Sequence, residues 1–85
     1  MTPVYLHLGG DRVVRLREIV AILSAEGSAA RAYAAQAEAQ GRLVPSPEEP
    51  VHAYVVTRDR VYASPISTTT LARRAEQGAG GRRER

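Results

Sequence analysis

No cysteine occurs in this chain of 85 residues, which excludes disulfides and thiolate metal sites. The chain also lacks any apolar run near the ~20 residues that a membrane-spanning helix needs. Its first residues lack the basic segment of a signal peptide, and the apolar run that follows is broken at Gly9-Gly10. We therefore expect a protein of the reducing cytoplasm that has no membrane partner.

The sequence lacks the motifs of common catalytic and cofactor sites. Ser64 and the hydroxyl residues 67–70 have no general base nearby in sequence and no G-x-S-x-G context, and helix capping explains them better. Gly9-Gly10 lacks the surroundings of a phosphate-binding loop. His7 and His52 can approach each other if their strands pair, but zinc needs four ligands, or three and a water molecule. We predict no enzyme, no cofactor, no metal and no small-molecule substrate.

Lysine is also absent, so all 12 cationic side chains are arginine, with a net charge of +3. Codon bias in a GC-rich genome is the explanation that we favour for the absence of lysine, and the abundant alanine agrees with it. Arginine also binds phosphate through planar paired donors, so the composition is compatible with a nucleic-acid partner without requiring one. A domain this small buries little surface, so its core alone gives marginal stability. Among the usual additional sources of stability, the composition leaves oligomerisation open.

Alternating or continuous apolar segments predict strands in four places. Residues 4–14 indicate a hairpin that turns at two glycines, and residues 19–23 form an apolar run that predicts a buried strand. Leu43-Val44 can begin another strand. Residues 51–57 and 61–63 predict a second hairpin around the polar turn 58–60.

One central helix is predicted over residues 29–40, with Ser28 as N-cap and Gly41 closing it. Tyr33 is its one large apolar side chain among many alanines. Because alanine stabilises little by burial, the helix either lies close against a sheet or packs against another subunit.

A second, short helix should follow the strand that Pro65 ends, with Ser67 or Thr68 as its cap and Leu71 facing the core. Arg73 and Arg74 are then expected in its last turn, where cations complement the helix dipole. These elements predict a small α+β domain over residues 1–76, with a mostly antiparallel sheet built from hairpins. Residues 77–85 predict a disordered tail that carries three more arginines.

Two groups of arginines are candidates for phosphate contacts. Arg12, Arg15 and Arg17 surround the second strand, and Arg15 and Arg17 share a face if that strand continues far enough. Arg58 and Arg60 flank Asp59 at the tip of the second hairpin. Ordinary solvated surfaces carry similar patterns, and neighbouring carboxylates such as Asp59 balance these charges.

Several segments, taken in chain order, carry a resemblance to a known family. They are Tyr5-Leu6-His7-Leu8-Gly9-Gly10-Asp11, Glu18-Ile19-Val20-Ala21-Ile22, the helix closed by Gly41, Tyr54-Val55-Val56-Thr57 and Val61-Tyr62-Ala63-Ser64-Pro65-Ile66-Ser67-Thr68-Thr69-Thr70-Leu71. The most specific parts are Leu8-Gly9-Gly10 and Ser64-Pro65-Ile66-Ser67. The chain resembles the RemA/RemB family of bacterial extracellular-matrix regulators, and most of all its RemB branch.

The resemblance implies a cytoplasmic, DNA-binding regulator of biofilm-matrix genes that forms a ring-like homo-oligomer, with a fold comparable to LytTR-type DNA-binding domains. The arginine pair through which the family contacts DNA corresponds here to Pro50 and Val51, in a loop that also carries Glu48 and Glu49. An interfacial arginine of the family corresponds to Glu18.

Double-stranded DNA would then have to be bound by other arginines. The candidates are Arg58, Arg60, Arg12, Arg15 and Arg17. At the subunit interface we expect Arg17, Glu18 and Tyr33. The alternative is a structural or protein-interaction ring that has lost DNA binding.

Overall fold

The computed structural model describes residues 4–80. Along the chain these residues form β1 (Tyr5–Gly9), β2 (Arg12–Arg15), a 3-10 turn (Leu16–Glu18), β3 (Ile19–Ser24), α1 (Ser28–Ala39), β4 (Leu43–Val44), β5 (Ala53–Thr57), β6 (Val61–Ser64) and α2 (Thr68–Gly80). This architecture confirms the α+β class and both predicted hairpins. Neither of the two helices in this part of the chain is long and apolar enough to cross a membrane.

The strands form two sheets. β1 and β2 pair as an antiparallel two-stranded ribbon that places Leu6 opposite Val14 and His7 opposite Val13. The other four strands follow the order β3-β5-β6-β4, in which β5 pairs antiparallel with both neighbours and β4 runs parallel to β6. β5, the strand predicted from residues 51–57, is therefore central to the larger sheet.

The larger sheet is covered on both faces. Successive side chains of β5 point to opposite sides of the sheet, so neighbouring residues of this strand lie in different buried clusters. Val55 lies in one buried cluster with residues of the ribbon and of α2. Val56 lies in the other, with Val61 and with Ala37 of α1. The molecule thus has three layers, in which the ribbon and α2 lie on one side of the sheet and α1 lies on the other.

A buried hydroxyl joins the ribbon to the larger sheet. Ser64 is fully buried, and its Oγ donates a hydrogen bond of 2.7 Å to the carbonyl oxygen of Leu8 while accepting one of 3.1 Å from the amide of Ile66. The next ribbon residue, Gly9, has a φ of +109°, and a Cβ there would lie 3.0 Å from the Pro65 ring. The two segments that carry the family resemblance most specifically therefore pack against each other.

Helix α1 lies close against the sheet, the first of the two predicted alternatives, and buries Ala34 and Ala37. The N-cap is Gly27, so the prediction that Ser28 caps the helix is wrong. Gly27 is extended and its carbonyl already accepts the amide of Arg31, so Ser28 is itself the first helical residue. The C-terminus ends as predicted, since Gly41 has a φ of +74° and donates its amide to the Glu38 carbonyl.

Strand β3 is present where the sequence predicts it, but the expectation that it is buried is wrong. It forms one edge of the larger sheet, because β5 is its sole partner in the described sheet. A register shift lies between Ile19 and Ala21, and the intervening Val20 is 68% exposed. An apolar run cannot show which strand occupies a sheet edge, because strand order is set by distant pairings.

Helix α2 is longer than predicted. Ser67 caps it, as its Oγ accepts the amide of Thr70 at 3.2 Å, and Leu71 is fully buried. The helix continues to Gly80, so residues 77–80 are helical where composition predicted the start of a tail. Arg73 and Arg74 consequently lie in mid-helix, and their predicted role at the C-terminal dipole is wrong. Residues 81–85, with the three arginines of the predicted tail, lie outside the described residues.

Candidate functional site

The turn between β5 and β6 holds Arg58 and Arg60 at the surface. Thr57, the last residue of β5, is almost fully buried, and its Oγ1 donates to the Arg60 carbonyl at 3.2 Å and accepts the Arg60 amide at 3.1 Å. The Thr57 amide also donates to the Arg60 carbonyl, at 2.9 Å. Arg58, Asp59 and Arg60 are all exposed. Sequence reasoning missed Thr57, although a threonine before a polar turn commonly forms such bonds.

Arg58 lines a groove of about 400 Å³ beside the exposed edge of the sheet. We call it the edge groove and define it by Arg17 and Glu18 of the 3-10 turn, Val20 of β3, and Arg58 and Asp59. The structure thus brings together two predicted DNA contacts, Arg17 and Arg58, and two predicted interface residues, Arg17 and Glu18. Two guanidinium groups and two carboxylates line the edge groove, so these charges offset each other.

The remaining predicted DNA contacts lie elsewhere. Arg12 is at the ribbon tip, in a depression lined also by Asp11, Pro47 and Tyr62. Arg15 is the last residue of β2 and pairs across the ribbon with Tyr5. The strand ends there and the chain enters a 3-10 turn, so the condition under which Arg15 and Arg17 would share a strand face is not met.

Tyr33, the third predicted interface residue, lies on α1 and is 38% exposed. It is not among the residues that line the edge groove. The predicted interface therefore consists of two separate patches on one protomer, the edge groove and the outer surface of α1. A head-to-tail ring uses two different patches of this kind on every subunit.

The proline-rich loop, residues 45–50, packs against the ribbon tip. A Cβ on Gly10, whose φ is +59°, would lie 3.0 Å from Pro47. Glu48 and Glu49 are exposed, as is Pro50, while Val51 is half-buried. This loop therefore presents carboxylates beside Pro50 and Val51, the positions that correspond to the family arginine pair.

The two histidines lie on different parts of the fold. His7 is exposed in β1 of the ribbon, whereas His52 precedes β5, and β5 pairs only with β3 and β6 among the described strands. Residues 4–80 contain no group of three or more metal-ligating side chains. A shared histidine site would require the strands of His7 and His52 to pair, and in the described sheets they do not.

A second groove, of about 530 Å³, lies between β1 and α2. We call it the ribbon–helix groove and define it by Tyr5 and His7 on β1, the Gly9-Gly10 turn, and Arg74 and Gln77 on α2. Arg74 Nη1 lies 3.4 Å from the carbonyl oxygen of His7, 67 residues earlier in the chain. Sequence reasoning missed this groove, since no local pattern signals a pairing across that separation.

The ribbon, the mixed sheet, α1 and α2 together define a small α+β domain, and comparison with known proteins shows its family. Residues 5–75 match the RemA-like family model, described as extracellular matrix regulatory protein A-like. This chain belongs to that family. A similar relative is extracellular matrix regulatory protein B of Bacillus subtilis (strain 168), which is 36% identical over 73 residues, covering 85% of this chain and 90% of the relative.

Proposed function

We propose that this chain is a cytoplasmic, non-enzymatic transcriptional regulator of biofilm-matrix genes that binds double-stranded DNA as a ring-like homo-oligomer. The observation that carries the proposal is the kinship to a matrix regulatory protein along nearly the whole described domain. The exposed, braced turn that bears Arg58 and Arg60 supplies the first candidate contact.

The charge of one protomer is too small to account for tight DNA binding by itself. Nine arginines and eight carboxylates lie among residues 4–80, which leaves a net charge of +1 for the described domain. A ring presents the same weak contact several times to one long polyanion, and each further contact then benefits from a high effective concentration. Assembly and DNA binding are therefore parts of one proposal.

The test is binding to long duplex DNA across a salt titration, comparing wild type with Arg58→Ala/Arg60→Ala. Contacts to phosphate release counterions, so the double variant should weaken binding about tenfold at low salt and flatten the salt dependence. The matched control is Arg31→Ala/Arg73→Ala, which removes two exposed arginines from the helices and causes the same change in net charge.

Two results would count against the proposal in different ways. If the assembled wild-type protein shows no DNA retention at low ionic strength, DNA binding is rejected. If both double variants weaken binding equally, binding follows net charge and the β5–β6 turn is not the contact.

The second candidate function is a protein-interaction ring without DNA binding. The offsetting charges of the edge groove favour it, since Glu18 and Asp59 oppose phosphate there, and so do Glu48 and Glu49 in the proline-rich loop. Mixed charges of this kind suit a protein partner. A pull-down at physiological salt separates the two functions, because recovery of nucleic acid alone would contradict this candidate.

A further inference from the structure

We propose that the ribbon–helix groove, continued across the outer face of the ribbon, is a contact surface for the sugar-phosphate backbone of duplex DNA. This inference rests on the proposed function and gives it a surface that the sequence did not predict.

The first argument is the sign of the charge. The described side chains that line the ribbon–helix groove include the guanidinium of Arg74 and no carboxylate, in contrast to the edge groove with Glu18 and Asp59. Glu76 is next to Gln77 in sequence but does not line the groove. A phosphate placed here meets a cation that no lining carboxylate offsets.

The second argument is the supply of hydrogen-bond donors. Arg74 has five N–H donors, and its one hydrogen bond within residues 4–80 is the 3.4 Å contact with the His7 carbonyl. That contact places the guanidinium beside β1 and leaves most of its donors for a ligand. Tyr5, His7 and Gln77 add phenol, imidazole and amide donors, the side-chain types that bind phosphate and sugar oxygens along DNA.

The third argument is the extent of the surface. Tyr5 is 50% exposed and pairs across the ribbon with Arg15, while His7 pairs with Val13, which is 44% exposed. The outer face of the ribbon therefore continues from the ribbon–helix groove to a second exposed arginine. Cations on two different elements fit a polymer of phosphates better than a single phosphate group, and this favours duplex DNA over a free nucleotide.

The experiment compares Arg74→Ala with Arg73→Ala by fluorescence anisotropy on a long duplex. Both arginines are exposed neighbours in the middle of α2, and both changes remove one charge, but only Arg74 lines the groove. Arg74→Ala should raise the dissociation constant several-fold and reduce the salt slope by about one for each protomer in contact. Arg73→Ala should stay within about twofold of wild type, because it removes no groove donor.

A second pair of variants leaves the Arg74 contact with His7 in place, and so controls for a structural effect of losing that contact. Gln77→Glu adds a carboxylate inside the ribbon–helix groove, and Ala72→Glu adds one at an exposed position of α2 outside it. Gln77→Glu should weaken DNA binding more than Ala72→Glu. Circular dichroism and light scattering of all four variants should match wild type.

Three outcomes overturn the inference. If wild type binds DNA and the two variants of each pair lose the same affinity, the ribbon–helix groove is rejected as the contact and the proposed function is unaffected. No DNA binding by wild type removes both. Displacement of duplex by a free deoxynucleoside monophosphate or by inorganic phosphate, dependent on Arg74, would instead identify a small-anion site.

Discussion

At the scale of single residues, the contact between the ribbon and the larger sheet depends on groups that tolerate little change. The Ser64 hydroxyl replaces water for the Leu8 carbonyl inside the protein, where an unsatisfied acceptor costs roughly 1–3 kcal/mol. Gly9 combines a positive φ with close approach to Pro65, whereas Gly41 has a positive φ with no atom near its missing side chain. Both backbone conformation and close contact therefore favour glycine at position 9, whereas backbone conformation alone favours it at position 41.

We expect Gly9→Ala to destabilise the protein more than Gly41→Ala. Both changes place an alanine at positive φ, which costs about 1–2 kcal/mol near the left-handed helical region. The φ of Gly9, +109°, lies outside that region, and only at Gly9 would the new Cβ lie 3.0 Å from the Pro65 ring. Urea unfolding at one fixed protein concentration measures the difference, which should be roughly 1 kcal/mol or more. Equal shifts of the unfolding midpoint would show that Pro65 yields without cost.

At the scale of elements, α1 stabilises the domain through close packing of its backbone on the sheet and not through large buried side chains. Its buried side chains, Ala34 and Ala37, let the helix backbone approach the sheet where Val56 and Val61 lie. A larger residue at the contact would have to push the helix away or adopt a strained rotamer. The alanines are therefore not interchangeable, because their effect depends on which side of the helix they occupy.

Ala37→Leu should lower the free energy of unfolding by about 1–3 kcal/mol, since Ala37 is fully buried and the added atoms overpack the contact with the sheet. The control is Ala35→Leu, the same substitution at an exposed position of the same helix. It should change stability by about 0.5 kcal/mol or less. Similar losses in the two variants would contradict close packing of α1 on the sheet.

At the scale of the whole molecule, the large exposed apolar side chains of residues 4–80 lie in three separate places. Val20 is on the β3 edge and Tyr33 on α1, while Tyr5 and Val13 occupy the outer face of the ribbon. An open sheet edge is a site where another chain can associate. The proposed ring would cover the first two patches and leave the ribbon for another partner.

We expect light scattering to give a particle several times the 9.2 kDa mass of the chain. Val20→Asp should reduce that mass, because it places a charge in the edge groove at the proposed subunit contact. Val13→Asp is the matched control, as it adds the same charge to another exposed valine outside that groove. A monomeric wild type would contradict the ring, and an unchanged mass for Val20→Asp would remove the edge groove from the interface.

The sequence predicted those structural features that depend on residues close together in the chain. The two hairpins, the Gly41 C-cap and the Ser67 N-cap follow from turn and capping residues within a few positions. It did not predict the edge position of β3, because apolar content is the same in a central and an edge strand. The ribbon–helix groove was missed for a related reason, since His7 and Arg74 meet only through the packing of α2 on β1.

The hydrogen bond between Ser64 and Leu8 also bears on the order in which the domain is completed during synthesis. The ribbon, residues 5–15, can close on itself as soon as Arg15 has left the ribosome, since its pairing is local. The hydroxyl that binds it arrives 56 residues later, followed by Leu71, which covers its inner face. The ribbon is thus made before the elements that cover Leu6 and Leu8, and this cover is complete only when Leu71 emerges. For a nascent chain of this family, that interval is when the apolar side of the ribbon is open to a chaperone or to another nascent chain.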